Sequence, residues 1–161
     1  MPKRLQTFQY HRCQLNDNDP YLLCFTNGVF DILHVGHLHC LEAAAKFGSK
    51  LVVAINNDES VIRLNKGPER PINSESNRAN ALSGLSCVDL VLIFSEDTPL
   101  EAISAVKPDV LVKGDDYDSE CSDPSNPKYI VGSNEVKKNG GEVFTIPLLP
   151  GHSTTAILES R

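Results

Sequence analysis

The feature that most constrains this chain is an alternation of short apolar runs with helix-period segments. YLLCFT (21–26), KLVVAIN (50–56), VDLVLIF (88–94), PDVLVK (108–113) and EVFTIP (142–147) are rich in β-branched and aromatic residues, several of them at successive positions. A strand apolar on both faces is covered on both faces, which is the condition of a parallel sheet. Between the first two runs Leu38, Leu41 and Ala45 repeat at i, i+3 and i+7, with Gly48 placed to stop the helix. Helical spacing recurs over 75–85, 99–106 and 134–139, the last ended by Gly140-Gly141. The expected fold is α/β: a doubly wound, Rossmann-like sheet of five parallel strands with helices on both faces. Ligands then bind outside the carboxyl ends of the strands.

A chain of 161 residues fits one domain that buries roughly 68–70% of its unfolded surface. We assign it to residues 21–161, with 1–20 as an N-terminal extension. LNKGPERPINS (64–74) and GDDYDSECSDPSNPKYIVG (114–132) have the Gly, Pro, Asn and Asp density of loops. Five cysteines, odd in number and without C-x-x-C spacing, point away from a disulfide framework or a zinc site and toward a reducing cytoplasm. Neither a leader-like apolar region nor a run approaching the roughly 18 apolar residues of a membrane span is present in the sequence. A net charge of -6 argues against nonspecific nucleic-acid binding. An acidic chain that binds a polyanion needs a local cluster of donors together with a divalent cation.

FTNGVFDILHVGHLHC (25–40) supplies candidates for such a cluster, holding three of the five histidines. If a helix starts between Leu33 and Gly36, His34 and His37 share one face of its N-terminus, where free N–H groups and the helix dipole favour an anion. Gly28 would let the chain turn after the strand, and Gly36 would clear space between the histidines for a ligand. Two imidazole donors there could hold phosphate oxygens and the extra charge of a pentacovalent phosphorus. His39 is out of phase with the pair. Farther on, Lys66 and Arg70 flank a Gly-Pro bend able to fold over a triphosphate. Lys113 ends a strand, Asp115 and Asp116 follow it, and Ser153, Thr154 and Thr155 stand after Gly151 at a helix start that both caps and offers N–H groups.

GVFDILHVGH resembles the G-x-F-D-x-x-H-x-G-H signature of the cytidylyltransferase-like nucleotidyltransferases, which move a nucleotidyl group from a nucleoside triphosphate to a phosphorylated acceptor and release pyrophosphate. The order GPERPIN, VDLVLIFSEDTPLEAI, KPDVLVKGDDY, IVGSNEV and GGEVFTIPLLPGHSTT is similar to the heptose 1-phosphate adenylyltransferase branch, whose domain often follows a sugar kinase; with no kinase-sized segment in the sequence, the expectation is a stand-alone form. The resemblance implies AMP transfer from ATP to D-glycero-β-D-manno-heptose 1-phosphate, with Mg²⁺ accompanying ATP and a homodimer or higher assembly. It assigns His34, His37 and Lys66 to catalysis. It assigns Thr26, Asn27, Gly28, Phe30, Asp31, Gly36, Arg70, Arg78, Lys113, Gly151, Ser153, Thr154 and Thr155 to the nucleotide, and Asn56, Asp58, Asp115 and Asp116 to the acceptor. No dedicated metal cage is expected, although Asp115 or Asp116 could help hold Mg²⁺.

Two other functions are compatible with the motifs. A CTP-dependent transferase for glycerol 3-phosphate or another small alcohol phosphate is similar to R-T-x-G-x-S-T-T before the last helix, where this chain has LLPGHSTT with Leu148 and Leu149 in the Arg-Thr places. A catalytically silent nucleotide sensor would be expected to lack a histidine or the loop cations, and both are present. Asn77 stands where the family commonly carries an acidic residue, and SECSDPSNPKY is longer and more polar than the resemblance implies, so an acceptor pocket that departs from the family's is an expectation here.

Overall fold

The computed structural model describes residues 6–8, as backbone, and 22–160. The elements in chain order are β1 (Gln6–Phe8), β2 (Leu23–Gly28), α1 (Val35–Ala45), β3 (Lys50–Asn56), α2 (Asp58–Arg63), α3 (Glu75–Ser83), β4 (Leu90–Phe94), α4 (Leu100–Val106), β5 (Val110–Gly114), α5 (Ser133–Lys138), β6 (Glu142–Ile146) and α6 (Thr154–Glu159). The sheet order is β1-β4-β3-β2-β5-β6. The five expected strands form its parallel part, each within two residues of the apolar run that announced it. Within the segment expected to be an appendage, β1 joins the sheet as a sixth strand, antiparallel to β4, with Gln6 opposite Ile93 and Phe8 opposite Val91. The remainder of 1–20 lies outside the described residues.

The consecutive apolar positions in β3 have the cause the sequence implied. Leu51, Val53 and Ile55 enter one cluster with Leu41 of α1 and Leu82 of α3. Val52 and Ala54 point the other way and pack with Ala102 and Ile103 of α4 and Val136 of α5. Burying each Val, Leu or Ile side chain contributes about 1.5–3 kcal/mol, so losing either helical layer would strip one whole face of this strand. The helix α2 was not anticipated: its periodicity is too short to detect, but Asn57 caps it by accepting from Ser60 N at 2.8 Å, and Asp58 and Glu59 oppose its dipole.

The first parallel strand in the chain, β2, lies at the centre of the parallel part, with β3 on one side and β5 on the other. From β2 the strands are added outward through β3 and β4 on one side and then through β5 and β6 on the other, and this reversal of strand order between the parallel β2 and β5 opens a crevice at their carboxyl ends. Gly28, Lys113 and Gly114 therefore arrive side by side, with the segment leading to α1 above them. No helix among the described residues is long and apolar enough to cross a membrane.

Candidate active site

The crevice is built first from the turn between β2 and α1. Gly28 closes β2 without a positive φ, so the sharp turn expected of it is displaced: the left-handed residue is Phe30, at φ 50°. Gly28 is needed for another reason, since a Cβ there would lie 2.9 Å from the Phe30 ring. That ring rests against His37, centroids 5.0 Å apart and tilted by 60°. His34 and His37 stack at 3.8 Å with 22° between their planes, as their three-residue spacing at a helix start requires.

His34 is itself the cap of α1: its Nδ1 accepts from Gly36 N–H at 3.1 Å. A neutral imidazole accepting through Nδ1 carries its proton on Nε2, so the other edge of the ring is a donor. Gly36 makes room for protein, because a Cβ there would sit 2.9 Å from His34 Cε1 and 3.1 Å from the His152 carbonyl oxygen. Burial, aided by the nearby charge of His34 and opposed by the Ile32 backbone, takes His37 down to a pKa of about 4. Burial, with His152 adding to it, also lowers His34. His37 is thus a neutral donor at pH 7. Its Nδ1 is buried without a well-aligned hydrogen bond, the backbone of Ile32 being the group that acts on the ring.

A second piece, the loop between α2 and α3, is fastened onto this turn. Asp31 is 2% exposed and accepts from Arg70 Nε, from Ile72 N at 3.0 Å and from Asn73 N at 2.8 Å, while Asn73 Nδ2 donates back to the Asp31 carbonyl. Burial alone would raise the Asp31 carboxyl, but the Asn73 and Ile72 N–H groups and the Arg70 guanidinium together hold it below the usual range. Arg78 is 1% exposed and donates to the carbonyls of Asn73 and Val29 and to Asp58 Oδ1. Asp31 and Arg78 therefore brace the loop from two sides. Lys66 projects from it, exposed, into the cavity.

The cavity encloses about 730 Å³, within the range of small-ligand sites. Its wall brings together Thr26, Asn27, Gly28, Phe30, Asp31, His34, Gly36, His37, Lys66, Arg70, Lys113, Asp116, Ser153, Thr154 and Thr155, all anticipated in sequence. Lys113 Nζ donates to the Asn27 carbonyl at 3.1 Å and lies 4.9 Å from the centroid of the Tyr117 ring. Burial pushes its pKa down to about 8, with Asp116 opposing and Lys66 adding to the fall. Ser153 caps α6 by accepting from Ala156 N at 3.1 Å.

Five anticipated residues are placed elsewhere. Arg78 and Asp58 form a mutual ion pair of 2.8 Å off the cavity wall, so the nucleotide contact expected of Arg78 and the acceptor contact expected of Asp58 give way to bracing. Asn56 is 5% exposed and donates to Ser60 Oγ at 2.9 Å, which ties β3 to α2. Asp115 accepts from Leu148 N at 3.2 Å, and Gly151, at φ 77°, shapes the turn before α6; neither lines the cavity. His39, out of phase as expected, bonds the Pro147 carbonyl at 3.0 Å and ties α1 to the end of β6.

Residues without an assigned role also line the wall: Cys40, Tyr117, Leu148, Leu149 and His152. Helical spacing places Cys40 four residues after Gly36 and so on the cavity face of α1, a signal that could have found it. The others come from loops, whose direction no periodicity reports. For a divalent cation, no group of three or more His, Cys, Asp or Glu among the described residues could hold a metal. Asp116 is exposed on the wall, whereas Asp31 is already met by three donors. That donor set fits Mg²⁺ held by one carboxylate together with substrate phosphates, not an all-protein cage.

A family model described as cytidylyltransferase-like matches residues 25–160. The chain is 55% identical over 134 residues to bifunctional protein HldE of Hyphomonas neptunium, an alignment covering 83% of this chain and 26% of that one. It is 50% identical over 137 residues to bifunctional protein HldE of Coxiella burnetii, covering 85% and 27%. The chain thus spans about a quarter of the length of these curated relatives. Among solved structures it is similar to the lipopolysaccharide core biosynthesis protein from Thermoplasma volcanium, with a TM-score of 0.60, 30% identity, and coverage of 80% of this chain and 97% of that one. With the H-x-G-H turn, the crevice beside it and a match over most of its length, the chain belongs to the cytidylyltransferase-like family.

Proposed function

We propose that this chain transfers AMP from ATP to D-glycero-β-D-manno-heptose 1-phosphate, giving ADP-heptose and pyrophosphate. The observation that carries the proposal is the stacked His34–His37 pair, 3.8 Å apart, at a helix start on the same cavity as Lys66, Lys113 and the beginning of α6. An acceptor phosphate oxygen attacks the α-phosphorus in line, and the bond to the bridging oxygen of pyrophosphate breaks. Because that oxygen is already anionic, no general base is required and the protein's work is positioning and charge stabilisation.

His34 Nε2–H and the neutral His37 donate to the oxygens that gain charge at phosphorus, each worth about 2.7–4 kcal/mol of barrier as an oxyanion-type donor. Lys113, held by Asn27 at the crevice floor, places a cation under the phosphates, and Lys66 closes from the loop side. The N–H groups and hydroxyls at Ser153 to Thr155 receive the β- and γ-phosphates. When bound, Mg²⁺ would neutralise phosphate charge beside Asp116.

Support for the adenylyl branch comes from Leu148 and Leu149, the departure from the Arg-Thr pattern, which line the cavity. Support for the heptose acceptor comes from the similarity to HldE proteins and to the lipopolysaccharide core biosynthesis protein. The proposed setting is the cytoplasm, in accord with the free thiols of Cys24, Cys40, Cys87 and Cys121, and the proposed working form is a homodimer or higher assembly. Pyrophosphate release over ATP, CTP, GTP and UTP against heptose, hexose and glycerol phosphates tests the proposal. Turnover with ATP and the heptose 1-phosphate is expected; turnover only with CTP and glycerol 3-phosphate, or ATP binding with no release, would contradict it.

A further inference from the structure

We propose that His152 is a third histidine of the transfer site, contacting the β,γ end of the bound triphosphate and then the pyrophosphate that leaves. This deepens the adenylyl-transfer proposal and rests on it. Neither the H-x-G-H motif nor the capping pattern of GHSTT calls for a histidine at this position.

The geometry begins with the two turns that meet at the cavity. The His152 carbonyl packs against Gly36, 3.1 Å from where a Cβ would stand, so the residue before the start of α6 is pressed onto the start of α1. His152 lines the cavity beside His34 and is near enough for its charge to bear on that ring. Its own ring makes no hydrogen bond or ion pair among the described residues. By contrast, His34 Nδ1 is used by Gly36, His39 Nε2 by Pro147, and Ser153 Oγ accepts from Ala156. Of these, His152 is the one with a side chain uncommitted on the cavity wall.

Burial then sorts the histidines along the path of the reaction. His37 is recessed against Phe30, whereas His152 and Lys66 are exposed at the mouth. The α-phosphorus must reach the recessed donors and the acceptor together, so the β,γ end, which departs, points toward the mouth. There it meets the imidazole of His152, an N–H donor at the cavity wall. Contact with the β,γ end is present before and after the α-phosphorus reacts, so its loss falls on binding rather than on the chemical step.

Calorimetric binding of inorganic pyrophosphate and of AMP, to wild type and to full-length His152→Ala and His152→Gln, tests this. A hydrogen bond to a charged group corresponds to about ten- to a hundredfold in affinity. His152→Ala is expected to weaken pyrophosphate by that factor and leave AMP unchanged, with His152→Gln recovering part of the loss. In turnover, KM for ATP should rise by a similar factor while kcat and KM for the acceptor stay within about threefold. Unchanged pyrophosphate affinity, or an equal loss for AMP and pyrophosphate, would overturn the assignment of His152 alone. Wild type that releases no pyrophosphate with any acceptor would overturn the adenylyl-transfer proposal on which it rests.

Discussion

Removing the Asp31 carboxylate is the most informative perturbation of the framework, because one side chain joins the histidine turn to the loop that carries Lys66. In Asp31→Ala three donors lose their acceptor: Arg70 Nε, Ile72 N and Asn73 N. Each buried donor left unpaired costs about 1–3 kcal/mol, and breaking a buried ion pair about 3–5 kcal/mol. These costs overlap, and the exposed Ile72 side chain shows that water can reach part of the loop, so we expect a net loss of about 3–5 kcal/mol. For a urea m-value near 2 kcal/mol per M, the unfolding midpoint should fall by about 2 M. Asp31→Asn keeps the size and one acceptor oxygen and should lose about half as much. The acid limb gives a second readout. The folded carboxyl titrates below its unfolded value of about 3.9, so its contribution is complete above that pH and lost as pH falls through the lowered folded value. Both variants should lack this part of the acid destabilisation. An Asp31→Ala protein within about 0.5 kcal/mol of wild type, the range of an unremarkable surface change, would refute the bracing role.

Three further outcomes follow from the site. With Lys113 titrating at about 8, KM for ATP should be flat below that pH and rise above it toward roughly tenfold per unit, since the triphosphate binds the charged amine; Lys113→Met should give a high KM without that rise. Gly36→Ala should displace the His34 ring or the His152 carbonyl and lower kcat/KM by roughly 10²-fold while circular dichroism stays native, and wild-type kinetics would show that the 2.9 Å approach is not needed. His37, with a pKa of about 4 in the free protein, should leave no inflection in kcat/KM between pH 6 and 8, and an inflection there that vanishes in His37→Asn would show that the ring titrates in that range and does not act as a neutral donor.

The parallel strands were legible because burial on both faces leaves continuous apolar runs, and α1 because Leu38, Leu41 and Ala45 repeat with helical period. In contrast, β1 is three residues long, and its antiparallel place beside β4 depends on the far edge of the sheet, not on local pattern. The site was legible wherever function is tied to spacing, as in the stacking of His34 on His37. It was not legible where the same charged residue serves either substrate or scaffold. Arg78 and Asp58 carry the chemistry of ligand contacts, yet α3 and α2 turn them toward each other. Gly28 and Gly36 were expected to free the chain and admit a ligand; each makes room for a neighbouring ring, a contact visible only once Phe30 and His34 have their rotamers.

The central claim, nucleotidyl transfer supported by the histidine pair, is tested most directly by ³¹P NMR of a reaction holding ATP, Mg²⁺ and D-glycero-β-D-manno-heptose 1-phosphate, run in parallel for wild type and His37→Ala. The account predicts growth of the coupled diphosphate resonances of ADP-heptose together with free pyrophosphate, slowed about 10²–10³-fold in the variant. No diphosphate product with wild type, or equal rates for the two proteins at saturating substrates, would contradict it.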